Sequence, residues 1–98
     1  MPKYVIEREM PAAGSLSDHE IRAASETSNG ALSELGGDVQ WVQSFVTDDK
    51  IYCVYIAPDP ERVREHADRA CLPADEVHQV RRIIDPTSAE AEPATVPA

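Results

Sequence analysis

The stretch Asp38–Pro58, DVQWVQSFVTDDKIYCVYIAP, is the most strongly hydrophobic part of the chain and decides its fold class. It holds the only Trp and the only Phe of the 98 residues. The pair Asp48-Asp49 divides it into two segments that are rich in β-branched and aromatic residues, the composition typical of strands. The stretch is therefore predicted to form a hairpin with a two-residue turn at Asp48-Asp49.

The strand pairing that this turn implies puts apolar residues on both faces of the hairpin. Trp41 would lie opposite Ile56, and Phe45 opposite Tyr52, with Gln43 between them on the same face. A hairpin with one face in water alternates apolar and polar residues, and this one does not. We therefore expect helices to cover one face and a second copy of the protein to cover the other, giving a homodimer.

The segments that flank the hairpin complete a β-α-β-β-α-β order. The first helix begins with a capping box of Ser17 and Glu20, and the second with Asp59 before Pro60. This order predicts a ferredoxin-like α+β sandwich, a four-stranded antiparallel sheet with two helices on one face, of the dimeric α/β-barrel type. The predicted elements are a strand at Tyr4–Glu9, a helix at Asp18–Leu35, the hairpin, a helix from Pro60, and a strand at Glu76–Ile84.

Domain organisation follows from composition. Residues 1–86 are predicted to form one domain, and residues 87–98, rich in Ala, Pro and Glu, a disordered tail. The net charge of −9, from 18 acidic and 9 basic residues, argues against nucleic acids and anionic membranes as partners. No apolar run approaches the roughly 20 residues of a membrane span, and no signal peptide is recognised. Together with two cysteines, too few for a disulfide framework, this predicts a cytoplasmic protein.

The residues that could carry chemistry are few. His66 borders the inner side of the second helix, whereas His19 is expected at the surface, and His78 at the surface or in a pocket. Glu7 and Glu9 share one face of the first strand, about 7 Å apart, as paired carboxylates that bind a cation can be. No spacing matches a catalytic motif, so we assign no catalytic residue and expect a binding protein rather than an enzyme.

Several motifs resemble the DUF4242 family, small ferredoxin-like proteins of which one branch is described as nickel-binding. The resemblance covers about residues 3–87. The residues that carry it are Trp41-Val42-x-Ser44-Phe45-Val46-Thr47-Asp48-Asp49-Lys50-x-Tyr52-Cys53-Val54-Tyr55-x-Ala57-Pro58, Glu65-His66-Ala67 and Ala74-Asp75-x-Val77.

The resemblance implies binding of nickel or another divalent transition metal. His66 matches the first histidine of an H-x3-H pair in the nickel-associated branch, whereas Ala70 stands in place of the second. Glu7 and Arg8 occupy the region where that branch has a histidine in strand one, and Gln43 stands where many relatives have histidine. The predicted metal ligands are therefore His66 and Glu7.

Two other functions remain open at this stage. A pocket lined by Glu7, Trp41, Gln43 and His66 would bind a small molecule, or support a cofactor-independent reaction as in other dimeric α/β barrels. Alternatively, the chain is a structural or regulatory interaction module. An enclosed cavity at these residues would favour the pocket, and a solid core there would favour the module.

Overall fold

A computed structural model describes residues 1–90 of the chain. Most of the predicted disordered tail, residues 87–98, lies outside the described residues. Its first residues form, together with Pro86, a short 3-10 helix at Pro86–Ala89. The other elements are strands β1 (Lys3–Glu9), β2 (Gln40–Val46), β3 (Lys50–Ile56) and β4 (Glu76–Gln79), helices α1 (Asp18–Glu34) and α2 (Pro60–Arg69), and a 3-10 turn at Ala13–Ser15.

The four strands form one antiparallel sheet in the order β2-β3-β1-β4, with both helices on one face. This is the predicted ferredoxin-like α+β arrangement. Within residues 1–90, no helix is both long enough and apolar enough to cross a membrane.

Local sequence signals fix both helix starts as predicted. At α1, the Ser17 hydroxyl accepts the Glu20 N–H at 3.1 Å, while the Glu20 carboxylate accepts the Ser17 N–H at 3.0 Å. At α2, the Asp59 carboxylate accepts the Arg62 N–H at 2.9 Å, and Pro60 takes the first helical position. These bonds satisfy N–H groups that a helix leaves without an internal partner, so the caps hold the entry of each helix onto the sheet.

The hairpin has the predicted turn but not the predicted register along its whole length. Phe45 lies opposite Tyr52, and Gln43 opposite Val54, as expected. Beyond Gln43 the register shifts, so that Trp41 lies opposite Tyr55 instead of Ile56. The cause is a β-bulge at Val42, an extra residue that has no counterpart on β3 and reverses the side of the sheet to which Trp41 points.

The last strand is shorter than predicted, ending at Gln79 rather than Ile84. Its partner explains the difference: Gln79 pairs with Tyr4, and the Val80 N–H donates to Lys3 O at 2.8 Å. Beyond that point the antiparallel register would pair β4 with Pro2 and Met1, which precede the first residue of β1. Without a partner strand Ile84 stays outside the sheet, with 80% of its surface exposed.

The sheet has two faces of different character. The helix face carries the core, in which Ile6, Val63 and Ala57 are fully buried. The strand residues on the helix face are Tyr4, Ile6, Arg8, Trp41, Ser44, Val46, Ile51, Cys53, Tyr55, Val77 and Gln79. The open face, which no described element covers, carries Lys3, Val5, Glu7, Glu9, Gln40, Gln43, Phe45, Lys50, Tyr52, Val54, Ile56, Glu76 and His78.

Candidate functional site

The open face brings together two carboxylates and an imidazole. Glu7 of β1 pairs directly with Glu76 of β4, and His78 lies on the same face of β4, two residues further on. One donor atom from each of the three lies within 4.8 Å of the others. The His78 Nε2 is 3.3 Å from a Glu76 oxygen. Two oxygen donors and one imidazole nitrogen form a ligand set that divalent transition metals accept.

A lysine occupies one side of this cluster. Lys50 Nζ donates to Glu7 Oε1 at 2.6 Å and lies 3.3 Å from Glu9 Oε1. The hydrogen bond from Lys50 is the main reason that the pKa of Glu7 is lowered, followed by the interaction with Glu76. The same contacts raise the pKa of Lys50. Glu7 is therefore a carboxylate at neutral pH, and a metal ion would compete with an ammonium group for it.

The structure does not bring the four sequence-predicted pocket residues together. Glu7 and Gln43 lie on the open face, whereas Trp41 and His66 lie on the helix side. Glu7 follows Ile6, which is fully buried against the helices, so alternation along β1 sends its side chain to the opposite face. Trp41 lies on the helix face and not on the predicted open face because of the bulge at Val42. His66 and Glu7 are thus separated by the sheet and do not share a site.

His66 is fully buried beneath α2, in a small polar network. Its Nε2 lies 3.1 Å from the Ser28 hydroxyl and 3.2 Å from the Tyr55 hydroxyl. Its Nδ1 is also buried and has no hydrogen-bond partner among the described residues. Burial, and to a lesser extent the positive charge of Arg8, lowers the pKa of His66 from 6.5 to about 4. His66 is therefore neutral at physiological pH.

Arg8 is the unexpected charged group of the helix face. Its side chain is only 1% exposed, and none of its three guanidinium nitrogens has a hydrogen-bond partner within residues 1–90. Its Cζ lies 5.8 Å from the centre of the Tyr55 ring, a cation–π distance. An arginine keeps its charge under all ordinary conditions, and an isolated buried charge costs several kcal/mol. A cation–π contact alone offsets only part of that cost.

Arg8 lines a cavity of about 280 Å³ between α1 and the helix face of the sheet. Helix α1 forms one wall through Ile21, Ala24 and Ser28, whereas Leu32 near its end and Leu35 just after it pack into the core. The cavity is mostly apolar, and its other apolar residues are Met10, Leu16, Trp41, Val46, Ile51, Cys53, Tyr55 and Leu72. A concave, mostly apolar space with a few polar groups is the usual form of a small-molecule site, and this one is partly open to solvent.

Sequence reasoning missed Arg8, Lys50 and Glu76 as site residues. A signal for Arg8 was present, since it shares one face of β1 with Tyr4 and Ile6 and therefore interrupts an apolar row. Glu76 could have been found from the fold, because a ferredoxin-like order places the last strand beside the first. His78 was left between surface and pocket, and the structure places it on the open face.

Comparisons with known proteins give a family and a fold. The model of a family described as nickel responsive protein SCO4226-like matches residues 4–80. The crystal structure of SCO4226 from Streptomyces coelicolor A3(2) matches with a TM-score of 0.71 at 20% identity, covering 84% of this chain and 99% of that one. At this identity the structural likeness shows the fold alone. No curated protein matches the sequence. The matched family is described as nickel responsive and is related to the predicted one, whereas the DUF4242 label is not shown.

Proposed function

The chain belongs to the SCO4226-like family of nickel-responsive proteins, and from that premise we propose that it binds a divalent transition-metal ion on its open face. The ligands in this proposal are Glu7, Glu76 and His78. The observation that carries it is the convergence of their three donor atoms within 4.8 Å. Nickel is the metal that the family name suggests, and imidazole and carboxylate donors suit it.

The geometry fits an ion after small side-chain rotations. Donors around one ion at about 2.1 Å lie at most about 4.2 Å apart, slightly less than the present spread. Glu76 and His78 are more than half exposed, so their side chains can move toward a shared ion without disturbing the core. Three protein ligands leave further coordination positions for water or for donors of a second chain.

Lys50 sets the affinity in this proposal. A cation at Glu7 must displace the ammonium group or share the carboxylate with it, and both alternatives weaken binding. We therefore expect a weak, reversible site, which suits a protein that responds to changes in metal concentration rather than one that stores the metal. Lys50→Met should raise the nickel affinity several-fold, since it removes the competing charge while keeping most of the side-chain volume.

Titration calorimetry of Ni²⁺ into the full-length, untagged protein tests the proposal. Because His78→Ala removes one of three ligands, it should weaken binding at least about tenfold, the lower range seen even for residues that only support ligands. His19→Ala is the matched control, since His19 is exposed on α1, and it should leave the affinity unchanged. Binding no tighter than about millimolar, or binding that His78→Ala leaves intact, would refute the site.

The open face is also the surface on which we propose homodimerisation. Phe45 is 53% exposed there, beside the partly buried Tyr52, Val54 and Ile56. An apolar sheet face of this kind favours pairing with a second copy, which would bring two metal clusters into one interface. Sedimentation equilibrium should show a dimer at micromolar concentration, a monomer for Phe45→Lys, and a dimer for Ile84→Lys, which adds charge outside the sheet. A monomeric wild type would contradict this.

A cytoplasmic location is part of the proposal. Both cysteines are free thiols, Cys53 buried and Cys71 exposed. Exposed free thiols persist in a reducing compartment and are rare in secreted proteins. Fractionation of the native host would test this location, and recovery of the protein outside the cell would contradict it.

A further inference from the structure

We propose that the cavity between α1 and the sheet binds a small carboxylic acid with an apolar body, whose carboxylate pairs with the guanidinium of Arg8. This binding function is separate from the metal cluster, because the cavity lies on the helix face and the cluster on the open face.

The charge of Arg8 identifies the head group of the ligand. Arg8 is 1% exposed and is one of the residues that line the cavity, and its three guanidinium nitrogens are buried with no hydrogen-bond partner among residues 1–90. A buried cation in an apolar wall calls for an anion, and the planar fork of a guanidinium matches a carboxylate through two parallel hydrogen bonds. Tyr55 and Ser28 offer hydroxyl groups beside the same point, although both also contact His66.

No described side chain neutralises Arg8. The one acidic residue of the cavity wall is Glu20, and its carboxylate is used as the cap of α1, where it accepts the Ser17 N–H. Arg8 forms no ion pair with Glu20 or any other acidic residue in the described part of the chain. His66 is neutral and donates no charge of its own. The cavity therefore holds one positive charge without a counterion.

The residues that line the cavity indicate that the rest of the ligand is apolar. Leu16, Ile21 and Ala24 face Val46, Ile51 and Trp41 across the cavity, so everything beyond the carboxylate contacts apolar surface. The volume of about 280 Å³ lies just below the range of roughly 300–1,000 Å³ that is usual for drug-sized ligands. Medium-chain fatty acids and arylalkanoic acids have this combination of size, charge and apolarity.

Trp41 provides the readout, because it is the only tryptophan of the chain and it lines the cavity. Octanoate is titrated into the full-length protein while Trp41 fluorescence is followed, with octanamide as the neutral probe of equal length. The wild type should bind octanoate at least tenfold more tightly than octanamide. Arg8→Met should abolish this preference, while Arg64→Met, the same change at an exposed arginine outside the cavity lining, should keep it.

The variants also separate loss of the site from loss of the fold. Arg8→Met removes an unpaired buried charge, so it should fold and should bind octanamide at least as well as the wild type. Equal binding of octanoate and octanamide by the wild type, or octanoate affinity unchanged in Arg8→Met, would overturn the proposal. So would failure of octanoate to perturb Trp41, since another group would then neutralise Arg8 in solution.

Discussion

The two faces of the sheet differ in whether their basic side chains have acidic partners. On the open face, Lys50 lies between Glu7 and Glu9, and His78 lies beside Glu76, so both of these basic side chains have an acidic neighbour. On the helix face, Arg8 and His66 are buried at 1% and 0% exposure, and among residues 1–90 neither has an acidic partner. Both faces are formed by the same four strands. Because successive side chains of a strand point to opposite faces, neighbouring residues lie in different electrostatic environments.

This difference indicates what each face can bind. The open face presents carboxylate and imidazole donors that are partly exposed and held in place by weak, screened ion pairs, which a metal ion can replace. The helix face presents a cation that water cannot reach, for which an anion of fitting shape supplies the missing partner. In this chain the cluster of Glu7, Glu76 and His78 and the cavity lined by Arg8 thus lie on opposite faces of one sheet.

The largest expected effect is on the core of the helix face. Ile6→Ala should lower the free energy of unfolding by about 3 kcal/mol, because a fully buried side chain leaves a cavity. Ile56→Ala is the matched change on the open face, where the side chain is only partly buried, and should cost less than half as much. Urea denaturation in the Phe45→Lys background, which is expected to be monomeric, measures both. Equal losses would contradict the difference in burial between Ile6 and Ile56 within one chain.

The next effect is a dependence of stability on pH that comes from the helix face. The unfolded chain protonates His66 near pH 6.5, while the fold holds its pKa at about 4. In this window the unfolded state binds more protons, so stability falls as the pH falls, by roughly 2 kcal/mol between pH 7 and pH 5. His66→Gln should flatten that slope in urea denaturation, and the exposed His19→Gln should not. An unchanged slope in His66→Gln would contradict the buried, neutral histidine.

A smaller effect on stability is expected when a buried and an exposed positive charge are each replaced. Arg8→Met should raise the free energy of unfolding by on the order of 1 kcal/mol, because an apolar side chain replaces a buried charge that lacks a counterion. Lys50→Met should change stability little, since exposed ion pairs contribute little. Thermal melts without added carboxylic acids provide the comparison. A marked loss of stability in Arg8→Met would show that Arg8 is already neutralised in the protein.

Much of the fold could be predicted from the sequence because its signals are local. The Ser17–Glu20 capping box, Asp59 before Pro60 and the Asp48-Asp49 turn each depend on a few consecutive residues, and the structure confirms all three. The end of β4 could not be read in this way. It depends on where β1 begins, because β4 can pair only with residues of β1, and not on the residues Val80–Ile84 themselves.

Less of the candidate site could be predicted from the sequence, because it depends on the position of one bulge and on the pairing of distant strands. One bulge at Val42 moved Trp41 to the other face, although the register at Gln43 and Phe45 was as predicted. Glu7 was identified as a possible ligand, but its partners Glu76 and His78 come from a strand that begins 69 residues further along the chain. The cavity depends on how far the first half of α1 stands from the sheet, which no sequence pattern reports.

The three histidines allow the most direct test of the account, since His78 lies on the open face, His66 on the helix face and His19 on the outside of α1. Substoichiometric Ni²⁺, a paramagnetic ion, is added to the full-length protein while the three imidazole signals are followed by NMR. Metal binding on the open face should broaden the His78 signals selectively and leave those of His66 and His19 unaffected. Broadening that begins at His66, or no selective broadening at His78, would contradict it.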